Sequence, residues 1–254
     1  MDQYKKVPCW KWKQEKPDWC RYSDVAVRDF PLGASESYTF CDWNEYYIIT
    51  GGSAEIRIEN QLFEISAGDI VAIPAGDAHC IERVTEPLTY ALLCDRLQGK
   101  ERKKRIAVPE ECIRRFIGPE GRYEDGYQRS DELPAVHSVI LKPRTWFWLN
   151  QKPFWSDLVN LSAMTFHAGE SEMDYHRHEC DEIYIVTKGS VTVRIEGDEF
   201  PLVKGECVPM KAGTNHQVAN ADCDSIVAFA YDKLQGLKRY GHLHDGEQIW
   251  ILNE

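Results

Sequence analysis

The alternation of hydrophobic and polar positions along the chain is that of short β-strands. "YYIIT" (46–50) and "IYIVT" (183–187) are rich in β-branched and aromatic residues, which suit a pleated, half-buried surface. They run into Gly51-Gly52 and Lys188-Gly189, a signal that predicts a hairpin at each place. "AEIRIE" (54–59) and "VTVRIE" (191–196) then alternate apolar with polar residues, as a strand with one buried face should. Gly68-Asp69 and Gly205-Glu206 punctuate the next turns, and Pro and Gly ahead of His79 and His216 mark another. Strands at this spacing, with turn residues between them, predict a β-sandwich or a closed barrel.

The pattern occurs twice. With a shift of 137, "EYYIITGGSAEIRIEN" (45–60) lies over "EIYIVTKGSVTVRIEG" (182–197), and nine of the sixteen positions are identical. The same shift carries Gly68 onto Gly205, Gly76 onto Gly213, His79 onto His216, and "DRLQG" (95–99) onto "DKLQG" (232–236). An offset that holds without a gap from residue 45 to 99 indicates internal duplication. "WKWKQEKPDW" (10–19) and "WFWLNQKPFW" (146–155) open the two copies. The motif reads best as a packing strand with Pro17 and Pro153 at its end or edge; an aromatic platform for a ring substrate is the other reading. The organisation expected is a first unit over residues 1–100, a connector over 101–145 and a second unit over 146–254. "PEECIRRFIG" (109–118) makes the connector partly helical.

Composition narrows the class. The chain is 43% hydrophobic and 28% charged over 254 residues, as in ordinary globular proteins. No apolar run approaches the roughly 18 residues that span a membrane, and "MDQYKKVPCWKWK" lacks the apolar core of a signal peptide. A net charge of −11 argues against a nucleic-acid surface, which needs clustered positive charge. The basic run "KERKKR" (100–105) reads as a solvated linker. Nine cysteines, with no C-x-x-C pair, suit free thiols in a reducing compartment. A cytoplasmic protein with no nucleic-acid or membrane partner is expected.

The chemistry concentrates in "YHRHECDEIYIVTKG" (175–189). His176 and His178 lie two apart, so on an extended chain both side chains take one face. Glu182 opens the next strand, and His216 follows "GECVPMKAGTN". Three imidazoles and a carboxylate suit one divalent first-row transition metal (Mn, Fe, Ni, Co or Zn), with one or two positions left open. In the first copy His176 falls on Thr39 and His178 on Cys41, while Glu45 and His79 persist. Cys41, Glu45 and His79 form a conceivable softer site, but a unit that has lost its ion and serves as scaffold is the simpler expectation. Tyr184 and Arg194 have counterparts in Tyr47 and Arg57, which makes them structural. Around the constellation stand Glu172, Asp174, Tyr175, Met210 and Lys211; the sequence selects no catalytic acid or base among them. His242 and His244, in "GHLHDGE", have no downstream histidine and read as a polar tail.

These residues resemble the cupin superfamily, whose first motif is G-x5-H-x-H-x3/4-E-x6-G and second G-x5-P-x-G-x2-H. Gly169, His176, His178, Glu182 and Gly189 follow the first, with six residues instead of five before the first histidine. Gly205, Gly213 and His216 keep the second, but Lys211 takes the proline position. In the first copy the second motif is whole, at Gly68, Pro74, Gly76 and His79. The resemblance implies an all-β bicupin: two tandem double-stranded β-helix (jelly-roll) barrels, paired as a homodimer, with the metal on His176, His178, Glu182 and His216. It implies an enzyme acting on a small oxygenated substrate, such as a sugar, sugar acid, or keto or hydroxy acid, by isomerase, lyase or dioxygenase chemistry. A non-catalytic binding protein of the same architecture is the alternative.

Overall fold

The computed structural model describes residues 6–8, 11, 15, 17, 23–40, 44–59, 61–73, 77–95, 106–107, 122–123, 139–141, 146–149, 159–171, 175–178, 181–232, 243–244 and 247–248. Among them the chain is nearly all β-strand.

The first half contributes β1 (Val7–Pro8), β2 (Ser23–Phe30), β3 (Thr39–Phe40), β4 (Glu45–Ile58), β5 (Gln61–Ser66), β6 (Ile70–Ile73) and β7 (His79–Asp95). The middle of the chain contributes β8 (Ile106–Ala107), β9 (Arg122–Tyr123) and β10 (Val139–Leu141). The second half contributes β11 (Trp146–Leu149), β12 (Val159–Phe166), β13 (Glu182–Lys188), β14 (Ser190–Ile195), β15 (Asp198–Val203), β16 (Glu206–Met210), β17 (His216–Ala221) and β18 (Ser225–Asp232). A two-residue hairpin pair, β19 (Leu243–His244) and β20 (Glu247–Gln248), completes the order.

The 137-residue shift survives as architecture. It carries β4 onto β13 plus β14, β5 onto β15, and β7 onto β17 plus β18. Burial repeats as well: β5 and β15 share one sequence of exposed and buried positions, as do the ends of β4 and β14. Each half packs around its own apolar core. Tyr47, Ile56 and Leu92 belong to the first, and Tyr184, Val193 and Phe229 to the second.

The hairpins expected at the Gly-Gly and Lys-Gly steps do not form. In the first half the chain runs on as one strand, β4, straight through Gly51-Gly52. In the second it turns a corner at Gly189, leaving the sheet of β13, β16 and β18 for that of β14, β15 and β17. Gly52 and Gly189 both have φ +72°, a conformation that an L side chain rarely adopts. A Cβ on Gly52 would overlap the Pro87 carbonyl, and one on Gly189 would overlap Ser225 Oγ and the Asp224 carbonyl. Both glycines are there for close approach, at a corner in the case of Gly189, and they reverse nothing.

The halves exchange their leading strands. β1, ahead of the first half, pairs antiparallel with β16 of the second, Val7 opposite Cys207. β10, ahead of the second half, pairs antiparallel with β6 of the first, Val139 opposite Ala72. Since β6 and β16 are equivalent, the exchange is reciprocal. Lys6 anchors its side through Glu206 Oε2 at 3.2 Å and the Pro201 carbonyl at 3.1 Å. Between the halves Gly68 faces Ile226, so closely that a Cβ there would press on the Ile226 side chain.

The described pieces of the expected connector are therefore sheet: β10 carries β9 alongside it in parallel and both extend the first half's sheet. The helical expectation for 109–118 and the basic run 100–105 lie outside the described residues, as do Trp10, Trp12, Trp19 and Trp155. Residues 146–149 do form the strand expected of the tryptophan motif, at the edge of the second half's six-stranded sheet.

Candidate metal centre

His176, His178, Glu182 and His216 come from three separate elements, and the backbone places each of them. His176 is tied to His216 by a two-way bridge: His176 N–H donates to the His216 carbonyl at 3.1 Å, and His216 N–H to the His176 carbonyl at 2.7 Å. The His178 carbonyl accepts from Gly213 N–H at 2.7 Å. Glu182 is the first residue of β13 and His216 the first of β17. A short extended segment and two strand starts thus aim four side chains inward.

The donor atoms converge. His176 Nε2 and His178 Nε2 are 3.1 Å apart, Glu182 Oε2 lies 3.2 Å from His178 Nε2, and His216 Nε2 lies 2.7 Å from Glu182 Oε2. One ligand atom from each of the four residues falls within 4.8 Å of all the others. Metal–ligand bonds of about 2.0–2.2 Å fit inside such a cluster. His216 Nδ1 donates to the Thr214 carbonyl at 2.7 Å, so Nε2 is the ring atom turned to the centre. All four residues are at most 2% exposed.

Electrostatics point the same way. Burial alone raises the Glu182 carboxyl, but the His178 and His216 imidazoles beside it outweigh burial and hold it well below the usual carboxylate range. Neither of those contacts has the directionality of a hydrogen bond, so both Glu182 oxygens are buried without a hydrogen-bond partner. A buried carboxylate held ionised among imidazole nitrogens is a ready ligand for a cation. The donor set, three imidazole nitrogens and a carboxylate, fits a divalent transition ion. Among the described residues this is the one such cluster.

The equivalent place in the first half is built differently. Thr39 stands opposite His79 in register, where His176 stands opposite His216. His79 Nε2 and Glu45 Oε2 make a direct hydrogen bond of 2.9 Å, Tyr47 donates to the same carboxylate at 3.4 Å, and His79 Nδ1 donates to the Asp77 carbonyl at 2.8 Å. A hydrogen bond joins the pair here, where Glu182 and His216 approach each other without one. Cys41 lies outside the described residues, and with it any site made of Cys41, Glu45 and His79.

The remaining candidates separate. Arg194 pairs with Glu199 at 2.8 Å on the surface, as Arg57 pairs with Glu82 at 2.8 Å; both arginines serve the sheet exterior. Tyr175 falls on Tyr38 under the shift. Tyr175 Oη accepts from Gly197 N–H at 3.0 Å, and Tyr38 Oη donates to the Glu59 carbonyl at 2.7 Å. Each pins the approach segment to a hairpin tip. Lys211 is exposed, whereas Met210 is fully buried directly across from Glu182. Glu172, Asp174 and His242 lie outside the described residues; His244 sits in the terminal hairpin. Sequence reasoning missed the Thr214 carbonyl, which no side-chain pattern could announce.

Residues 162–229 match the family model described as Cupin domain. The uncharacterized protein y4oW of Sinorhizobium fredii (strain NBRC 101917 / NGR234) is 33% identical over 91 residues, 36% of this chain. The match spans 39% of that relative's length. Among solved structures, salicylate 1,2-dioxygenase from Pseudaminobacter salicylatoxidans is similar with a TM-score of 0.56 at 9% identity, over 84% of this chain and 71% of that one. The same enzyme in its adduct with gentisate gives 0.57 at 11% identity, over 90% and 81%. The cupin 2 conserved barrel domain protein from Leptotrichia buccalis gives 0.54 at 19% identity, over 90% and 96%. The second half's sheets are thus cupin-like in fold, and the candidate metal residues fall on the matched segment.

Proposed function

We propose that the chain is a tandem pair of cupin barrels and a metal-dependent enzyme. Its second barrel, within 146–254, would hold one divalent transition metal on His176, His178, Glu182 and His216. The first, within 1–100, would act as scaffold. The observation that carries this reading is the convergence of three buried imidazoles on a carboxylate whose two oxygens accept no hydrogen bond.

When bound, such an ion acts as a Lewis acid toward a substrate that chelates it through two oxygens. The chain's own residues would do the rest. The Thr214 carbonyl fixes the His216 ring, and the paired backbones of His176 and His216 fix the spacing of two ligands. Met210, fully buried across from Glu182, would help keep water from competing for the carboxylate. Small substrates with adjacent oxygens fit: hydroxy acids, keto acids, sugar acids and hydroxylated aromatic acids. Gentisate, which the fold-related salicylate 1,2-dioxygenase binds, belongs to the last class.

Metal analysis of the purified protein, followed by oxygen-uptake and solvent-deuterium-exchange assays on a panel of those acids, tests the reading. Stoichiometric metal with oxygen uptake assigns a dioxygenase; metal with deuterium incorporation assigns an isomerase or lyase. Metal with no turnover on any acid supports the binding-protein alternative. Absence of metal after reconstitution overturns the proposal.

A further inference from the structure

Among the described residues two that are not glycine have a positive φ: Glu59 at 50° and Glu196 at 49°. The 137-residue shift carries one onto the other. Each stands just past the end of a strand. Ile58 faces Gln61 across the first hairpin, and Ile195 faces Asp198 across the second. A two-residue turn of this kind asks for a left-handed first residue, which asparagine, aspartate or glycine ordinarily supplies. Glutamate is an uncommon and strained choice there, and the turn alone does not account for it.

The side chains do. Glu196 N–H donates to the Asn215 carbonyl at 3.0 Å, and Glu196 Oε1 accepts from Asn215 N–H at 2.7 Å. Glu59 grips Ala78 in the same way, at 2.7 Å and 3.0 Å. Each glutamate thus takes both backbone groups of the residue directly ahead of a site histidine, His216 or His79. Asn215 lies between the two points that fix the His216 ring: the backbone of His216 itself and the Thr214 carbonyl that accepts from Nδ1. The adjoining Gly197 N–H donates to the hydroxyl of Tyr175, the residue directly ahead of His176, at 3.0 Å. One hairpin tip therefore holds the approach to two of the four ligands. We propose that Glu196 is a positioning residue for the metal centre: its carboxylate and its N–H clamp Asn215, and the clamp sets the place from which His216 offers Nε2. The inference rests on the metal-site reading above. Glycine would close the turn without strain, but it has no side chain to reach Asn215. In the first half the same clamp places His79 for its hydrogen bond with Glu45.

The test uses the full chain, stripped of metal by chelation and titrated with Mn(II), with Co(II) as an optical probe. Glu196→Gly suits the turn and removes the carboxylate. It is expected to weaken Mn(II) binding about tenfold, as when a group that orients a metal ligand is lost, and to shift the Co(II) ligand-field spectrum. Glu196→Gln keeps the accepting oxygen without the charge. It is expected to bind Mn(II) within about threefold of the parent, a neutral hydrogen bond being the weaker kind, and to keep the parent's Co(II) spectrum. Glu59→Gly is expected to leave Mn(II) affinity as it was. Mn(II) binding by Glu196→Gly within about twofold of the parent overturns the inference and leaves the metal centre standing. So does a Glu196→Gln as weak as Glu196→Gly, because the negative charge and not the clamp would then be acting on the ion. A metal-free Glu196→Gly without a folding transition overturns it too, since the side chain would then be serving the fold. A parent protein that binds neither ion removes the underlying reading itself.

Discussion

His79 Nε2 lies 2.9 Å from Glu45 Oε2, both residues 1% exposed, in the place where the other half sets His216 Nε2 2.7 Å from Glu182 Oε2. The same two residue types, at the same spacing, do opposite things. In the first half they hydrogen-bond to each other. In the second, two more imidazoles crowd the carboxylate, and no hydrogen bond to it forms. The number of donors around the carboxylate decides which arrangement results.

Metal content should follow that division. His176→Ala or His178→Ala is expected to abolish stoichiometric metal, and His79→Ala to leave it intact, by elemental analysis after dialysis. Loss of metal on changing His79 would move the centre to the first half.

The closed pair should matter for stability. Removing His79 takes the 2.9 Å partner from a carboxylate held in a dry interior, so His79→Ala is expected to cost about 3–5 kcal/mol in denaturant unfolding. Replacing both members by leucine should cost much less, because no buried charge is left behind. Equal losses in the two variants would show that the pair contributes only its volume.

The missing ligands can be put back. Thr39 already stands opposite His79 as His176 stands opposite His216. Thr39→His combined with Cys41→His is therefore expected to raise metal content from about one to about two ions per chain, since four donors of the required kind would be present. Unchanged content would mean that the first half's backbone no longer aims those positions inward.

The metal-free protein should lose stability in acid with a predictable sign. The folded Glu182 carboxyl is depressed below its ordinary value by His178 and His216, which overcome its burial. The stability it contributes is present above about pH 4.5, the ordinary carboxylate range, and is lost as pH falls toward the folded value. Chemical unfolding of metal-free protein between pH 6 and 3 should show this decline, and Glu182→Gln should flatten it.

The thiols give an independent check on burial. Cys80 is pushed up to about 12 by burial and by the neighbouring Glu82 carboxylate. Cys223 is exposed, and hydrogen bonds with Ser190 and Ser225 hold its thiol below the ordinary value. At pH 8 iodoacetamide should modify Cys223 well before Cys80, because the thiolate is the nucleophile. Mass-spectrometric mapping of the two sites reads the order.

The sequence by itself determined the repeat, the strand-rich character of both copies and the four residues of the candidate centre. All three are written in local terms: alternation along a strand, a fixed 137-residue offset, and histidines two apart beside a strand that opens on glutamate. The tertiary structure decided what local pattern cannot carry. Gly52 and Gly189 look like hairpin residues in sequence, but Pro87 and Asp224, which are distant along the chain, press against them and leave no room for a side chain. β1 and β10 are brief extended segments with no signal of a partner; only the free edges of β16 and β6 assign them, and they assign them across the halves. Tyr184 was legible as a strand tyrosine, and its edge-on contact with the ring of His216, 32 residues further on, came only with the tertiary structure. Side-chain chemistry is local, whereas the pairing that brings two such residues face to face belongs to the sheet as a whole.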